Sequence, residues 1–249
     1  MSLNPLPLGS LLRSQLDKPA FPPFYGALGM PAAHGTDSLQ LMERRGPARR
    51  EVEAMISERF AHAYQARVAQ FMPRLLALQG EDGVPLAACG LRHADDQPLF
   101  LERYLDLPVE AAIGTACKVS VTRGQIIEVG QFAGSGSGAF RNLIVQLTAM
   151  LHREGRAWVV FTGTTALRNA FSRLGLKPCE LGPAEPARLA EAERADWGSY
   201  YAHSPRVLCG NVGEGFLALT ARLVSGAGHN PIVEAPQAAR DSIRELLGS

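Results

Sequence analysis

Three groups of residues combine types and spacing suited to chemistry. The first is the run Gly134-Ser135-Gly136-Ser137-Gly138, followed by Ala139. Glycines let a chain turn tightly with positive φ, and the amides of a helix N-terminus point at an anion. A phosphate fits such a turn, although a merely flexible connection has the same composition. The second is Glu128, a carboxylate among Ile126, Ile127 and Val129. Desolvation in an apolar strand raises a carboxylate's pKa toward that of a useful base, whereas an ion pair with an arginine gives it a purely structural use. The third is the cluster Asp196, Trp197, Tyr200, Tyr201 and His203, dense for a chain with 7% aromatic residues. Its hydroxyls and imidazole suit proton transfer; the alternative is a packed corner whose tyrosine hydroxyls bond the backbone. Arg168 and Asn169 open a later helix, where they either line an acceptor pocket or solvate the helix end.

Several chemistries are excluded by what is missing. The pattern Gly134-x-Gly136-x-x-Ala139 fits a loose dinucleotide fingerprint, but the next strand ends in Phe161-Thr162-Gly163-Thr164 without the acid that would hold a ribose. No Gly-Lys-Ser/Thr follows the run, which removes a Walker A loop. The residue at the centre of Gly134–Gly138 is Gly136, so there is no nucleophilic serine elbow. His34, His62, His93, His152, His203 and His229 show no metal-ligand spacing. Cys89, Cys117, Cys179 and Cys209 form no C-x-x-C pair, so reduced thiols and no metal are expected.

The elements that must position these groups are legible from periodicity. Val52, Met55, Ile56, Phe60 and Ala63 recur at spacings of three and four, an amphipathic helix. Phe71 to Leu78 and Pro85 to Leu91 flank Gly80-Glu81-Asp82-Gly83 and read as a β-hairpin. Pro98 to Ala112 mixes apolar and charged residues and reads as a peripheral helix. Gln125 to Ala133 reads as a strand, Ala139 to Arg153 as a helix, Ala157 to Thr162 as a buried strand, and Thr165 to Leu174 as a helix stopped by Gly175 and Pro178. Strand, helix, strand at these lengths implies parallel pairing through a right-handed crossover. A Pro/Ala-rich connection over 183–195 precedes a last strand, Arg206 to Val212. The pattern is that of an α/β fold with a mixed central sheet flanked by helices.

The 249 residues divide into an irregular Pro/Gly-rich arm over 1–48, one α/β domain over 49–214 and a C-terminal helical extension over 215–249, with a short helix expected near Ala238 to Leu247. A hydrophobic content of 46% suffices for a core, and 25 basic against 24 acidic residues give no field that would draw a nucleic acid. The N-terminus lacks the pattern of a signal peptide, and Phe216 to Val224 is far short of the roughly 20 residues of a membrane span. A cytoplasmic protein without a transmembrane segment is expected.

Gln131-Phe132-Ala133-Gly134-Ser135-Gly136 resembles the Gln/Arg-x-x-Gly-x-Gly/Ala turn by which GNAT acyltransferases hold the coenzyme A pyrophosphate. Leu167 to Leu176 resembles the following GNAT helix, with Phe171 where that helix typically carries a tyrosine. Glu128-Val129-Gly130-Gln131-Phe132 is similar to the Glu-x-Ser-Arg-Phe segment of acyl-homoserine-lactone synthases, with Gln131 in place of the arginine. Across residues 50–212 the chain resembles the thermostable haemolysin family, through Phe71–Leu76, Pro98–Leu105, Glu128–Gly130, Trp158–Thr162 and Asp196–Tyr201. The resemblance implies a GNAT-like acyltransferase fold and N-acyl transfer from acyl-CoA, or from the phosphopantetheine of an acyl-carrier protein, to a small amine or amino acid. It places the donor on Val129, Gly130, Gln131 and Phe132 and on the turn Gly134, Ser135, Gly136, Ser137, Gly138 and Ala139. Glu128 then stands as base, Tyr200, Tyr201 or His203 supplies the acid that Phe171 cannot, and Arg168, Asn169 and Trp197 face the acceptor. A non-catalytic acyl-CoA-binding module and a membrane-active haemolysin, which the family label implies, are the alternatives.

Overall fold

The computed structural model describes residues 37–43 and 46–226, with the side chains of 223–226 left aside. Seven strands form one mixed sheet: β1 Ser38–Met42, β2 Arg74–Gln79, β3 Pro85–His93, β4 Ile126–Gly134, β5 Trp158–Gly163, β6 Cys179–Pro183 and β7 Arg206–Asn211. Their order across the sheet is β1-β2-β3-β4-β5-β7-β6. Every neighbouring pair is antiparallel except β4 with β5. Among the described residues six α-helices accompany the sheet: α1 Pro47–Tyr64, α2 Val109–Cys117, α3 Ser137–Arg153, α4 Thr165–Arg173, α5 Glu191–Asp196 and α6 Val212–Gly226.

Alternating side chains along the strands sort the core into two layers. Leu76, Leu78, Ala87, Cys89, Ile127 and Val129 face α3, which supplies Leu143, Leu147, Met150 and Leu151. On that same side α4 packs Phe171 on Phe161 and Leu208, and α6 packs Leu219 on Val145 and Ala149. Leu75, Ala77, Ala88 and Ala133 face the opposite way, toward Val52, Ile56 and Phe60 of α1. Beside α1 on this second face lie α2 and the turn over residues 100–104, packed on Ile126, Trp158, Val160, Val207 and Cys209. The expected hairpin is β2–β3, closed by the Gly83 N–H donating to Gly80 O at 2.9 Å, with Gly83 at φ +77.

Four expectations are corrected. Pro98 to Ala112 is not a peripheral helix: it forms a 3-10 turn, Phe100–Tyr104, followed by α2, and Leu99, Leu101, Tyr104, Val109 and Ile113 are core residues. The short, proline-bounded β6 was hidden at the start of the connection before β7; as an edge strand it tolerates Pro183, and α5 follows it. Ser38–Met42, inside the stretch read as an irregular arm, pairs with β2 as the other edge. The cysteines, dispersed in sequence, are not all dispersed in space, since Cys117, Cys179 and Cys209 converge. Residues 1–36 and the terminal helix expected near 238–247 lie outside the described residues; α6 begins at Val212, within the range assigned to the central domain.

Candidate active site

The parallel strands β4 and β5 pair only from Ile126 to Glu128 and from Trp158 to Val160. Beyond that point β4 stays on β3 as far as Gly134, and β5 stays on β7 as far as Gly163, so the two inner edges part into a wedge. The local cause is a bulge in β4. Gln131 has φ +54, and the β3–β4 register shifts between Ala88 and Gly90. An extra residue in one strand bends it and increases its twist. The bulge is fastened by the Gln131 side chain, whose Oε1 accepts from Met72 N at 3.0 Å and whose Nε2 donates to Gln70 O at 2.7 Å. Met72 lies across Gly90 and Gly130, where a Cβ would stand 2.6 and 2.9 Å from its side chain. The Gln131 amide thus braces the segment before β2, while the open edge of the wedge consists of backbone.

At the head of the wedge the glycine run leads into α3. Ser135 N donates to Leu86 O at 2.8 Å, and the first intrahelical bond is Phe140 N to Gly136 O at 3.1 Å. The amides of the first helical turn have no intrahelical partner, and no side chain caps them. Ser135, Gly136, Ser137 and Gly138 are exposed, and a Cβ on Gly136 or Gly138 would meet nothing within 4 Å. Contrary to expectation, none of these glycines adopts a left-handed φ; Gly136, at φ −174, is extended. What glycine contributes here is clear access to amides. Below the turn, Phe132 lies 5.7 Å from Phe140 and 6.4 Å from Phe171, and Phe171 lies 4.9 Å from Phe161, so an aromatic layer lines this side. Val129 is in the core, and Ala139 packs against it.

The opposite face of the wedge carries the titratable residues. Glu128 is 3% exposed, and its carboxylate accepts from Phe100 N at 3.1 Å and Leu101 N at 3.0 Å, with Arg92 Nη1 at 3.4 Å. Burial pushes its pKa up, against the pull of Arg92 and the two amides. These bonds hold the start of the Phe100–Tyr104 turn. At the turn's end the Tyr104 hydroxyl meets that of Tyr201 at 2.6 Å. Burial raises both phenols, for Tyr201 against the pull of its bond to Tyr104. Tyr200 is buried and likewise raised, and its hydroxyl makes only a long 3.5 Å contact to Thr162 O in β5. Trp197 packs on Phe100, Tyr200 and Tyr201, and the exposed ring of His203 lies edge-on to Tyr64 at 5.2 Å.

The structure therefore brings Trp197, Tyr200, Tyr201 and His203 into one aromatic cluster. Glu128 reaches it through the turn it braces and, among the described residues, makes no hydrogen bond to any of these four side chains. Arg168 is spent elsewhere: its Nη1 donates to Gly163 O at 3.2 Å and Ser204 O at 2.9 Å, tying the end of β5 to the approach to β7. Asn169 is exposed on α4. Tyr104, Phe100 and Tyr64 join the cluster without having been singled out by sequence. A signal existed for the first two, which stand in the Pro98–Leu105 segment that carries the family resemblance.

The wedge, the bulge and the helix N-terminus at its head define a GNAT-like acyltransferase fold, and solved structures agree. The AHL synthase LasI superposes with a TM-score of 0.52 at 14% identity, covering 80% of this chain and 98% of its own. FeeM, an N-acyl amino acid synthase from uncultured soil microbes, gives 0.51 at 15% identity, covering 76% and 98%. The CoA-dependent acyl-homoserine lactone synthase BjaI gives 0.50 at 14% identity, covering 82% and 99%. No curated protein sequence is significantly similar to the chain. The thermostable hemolysin family profile matches residues 42–216, and the chain belongs to that family.

Proposed function

We propose that this protein is an N-acyltransferase that moves an acyl group from the thioester of acyl-CoA, or of an acyl-carrier protein, to a small amine or amino acid. The observation that carries this reading is the early end of the β4–β5 pairing at Glu128 and Val160, which opens a backbone edge leading to the uncapped first turn of α3. Amides there suit a pyrophosphate or phosphopantetheine phosphate, and the open β4 edge suits an amide-bearing pantetheine arm and a thioester carbonyl. The amine nitrogen attacks the carbonyl carbon, the carbon–sulfur bond breaks, the thiolate takes a proton from a protein hydroxyl, and the proton shed by the nitrogen returns through solvent to restore that hydroxyl. Tyr201 is the proton donor we assign, because its half-buried hydroxyl is held against that of Tyr104 at 2.6 Å and Phe171 has no proton to give. Phe132, Phe140 and Phe171 suit an acyl chain, and we assign Trp197 and His203 to the acceptor's side.

The test is donor binding and turnover on the same protein. Calorimetry with an acyl-CoA is expected to show binding that Gly136→Asp abolishes, because the new carboxylate stands among the amides intended for a phosphate. Release of free CoA thiol should then depend on an added amine. Unchanged affinity in Gly136→Asp would overturn the assignment of the turn. Tight binding without amine-dependent thiol release would instead favour a non-catalytic acyl-binding module, a reading supported by the saturated hydrogen bonding of Glu128.

A further inference from the structure

Cys117, Cys179 and Cys209 belong to three different elements: the last residue of α2, the first of β6, and the middle of β7. Cys179 and Cys209 are register partners across the β6–β7 ladder, and α2 closes over them from the side of the sheet that it covers. Their Sγ atoms all lie within 4.8 Å of one another, with Cys117 and Cys209 at 3.7 Å. Cys209 is buried, and the other two are half-buried. A tetrahedral zinc ion with bonds of about 2.3 Å to sulfur holds its thiolates about 3.8 Å apart, so the sulfurs already stand close to that spacing. A disulfide would join two of them at about 2.05 Å and leave the third without a role.

We propose that Cys117, Cys179 and Cys209 form a three-thiolate site for a divalent cation of the zinc class, with a fourth position open toward the half-buried side. Binding exchanges one proton per thiol for three metal–sulfur bonds, with no oxidant or reductant. The divalent charge cancels two of the three negative charges, where a monovalent copper ion would cancel one, and the surroundings are apolar: Val207, Ile113 and Leu181 belong to the same cluster. Glu180, the nearest carboxylate in sequence, is paired with Arg206 at 3.3 Å. The site would fasten the C-terminal end of α2 to the β6–β7 edge.

The test uses the full chain, stripped with a chelator and kept reduced and anaerobic, with cadmium as the zinc-class probe. Thiolate-to-metal charge-transfer absorption should rise and saturate at one equivalent. Bound cadmium should protect Cys117, Cys179 and Cys209 from alkylation in the unsubstituted protein, read by peptide mass. Cys117→Ser and Cys179→Ser should each weaken binding at least tenfold, and Cys89→Ala should leave it unchanged. Absence of the absorption, protection of none of the three, or undiminished binding in both serine variants overturns the proposal. Ready formation of a Cys117–Cys209 disulfide without metal uptake by the reduced chain does so as well.

Discussion

Glu128 spends its two oxygens on the amides of Phe100 and Leu101 and sits against Arg92, so the carboxylate that sequence offered as a base is first a brace. Glutamine in its place keeps one acceptor and turns an NH2 toward an N–H, leaving a buried donor unpaired. Glu128→Gln should therefore cost about 1–3 kcal/mol in urea unfolding. Its kcat should fall while the acidic limb of the pH–rate profile keeps its position; disappearance of that limb would restore the base. The hydroxyls are separable in the same assay. Tyr201→Phe should lower kcat by about 100-fold with donor affinity unchanged, the usual scale for losing a general acid. Tyr200→Phe, which loses only the 3.5 Å contact to Thr162 O, should leave kcat close to its original value.

The Phe100–Tyr104 turn is positioned by its own Glu102, which accepts from Leu99 N at 2.9 Å and Val109 N at 3.1 Å and pairs with Arg123 at 2.7 Å. Arg123 also bonds Glu110 at 2.8 Å and so joins the turn to α2. The hydrogen bond from Arg123, followed by the backbone donors, outweighs burial and holds the Glu102 carboxyl down at about 2, from an ordinary 4.5. A depressed folded pKa means that this stabilisation is complete above about 4.5 and is lost as pH falls toward about 2. Acid unfolding followed by circular dichroism should lose part of its slope in that window in Glu102→Gln; an unaltered acid limb would show that the network contributes nothing. A second clamp fixes the Asp196–His203 segment. Gly198, at φ +50, passes so close to α1's end that a Cβ would lie 2.3 Å from Tyr64 O, and Ser199 N donates to that oxygen at 2.7 Å. Only glycine serves both the left-handed backbone and the close approach.

At the scale of the molecule, helices cover both faces of the sheet, and among the described residues no helix is long and apolar enough to cross a membrane. The acyl transfer proposed above needs no membrane, and on that reading the purified protein should release no dye from lipid vesicles at micromolar concentration without an acyl donor; leakage caused by the donor-free chain would make the family label a literal description. The order strand, glycine turn, helix, strand, helix over 126–173 was legible because each element carries its own local signal: apolar runs, a 3.6 period, and Gly175 as a stop. Gly134–Gly138 and the aromatic content of 196–203 were legible for the same reason. What sequence could not order was every contact whose partners lie far apart in the chain. Arg49, 8% exposed, donates to the carbonyls of Met42, Met72 and Pro73, and nothing in its neighbours along the chain marks it as a core residue. The same holds for Tyr104 against Tyr201, for Glu128 under the amides of Phe100 and Leu101, and for the three converging cysteines. Periodicity determines which face of an element is buried, because burial follows the repeat of the backbone. Which residue meets which is decided by strand order, by the bulge at Gln131 and by the crossing of elements, and these exist only once the sheet has closed.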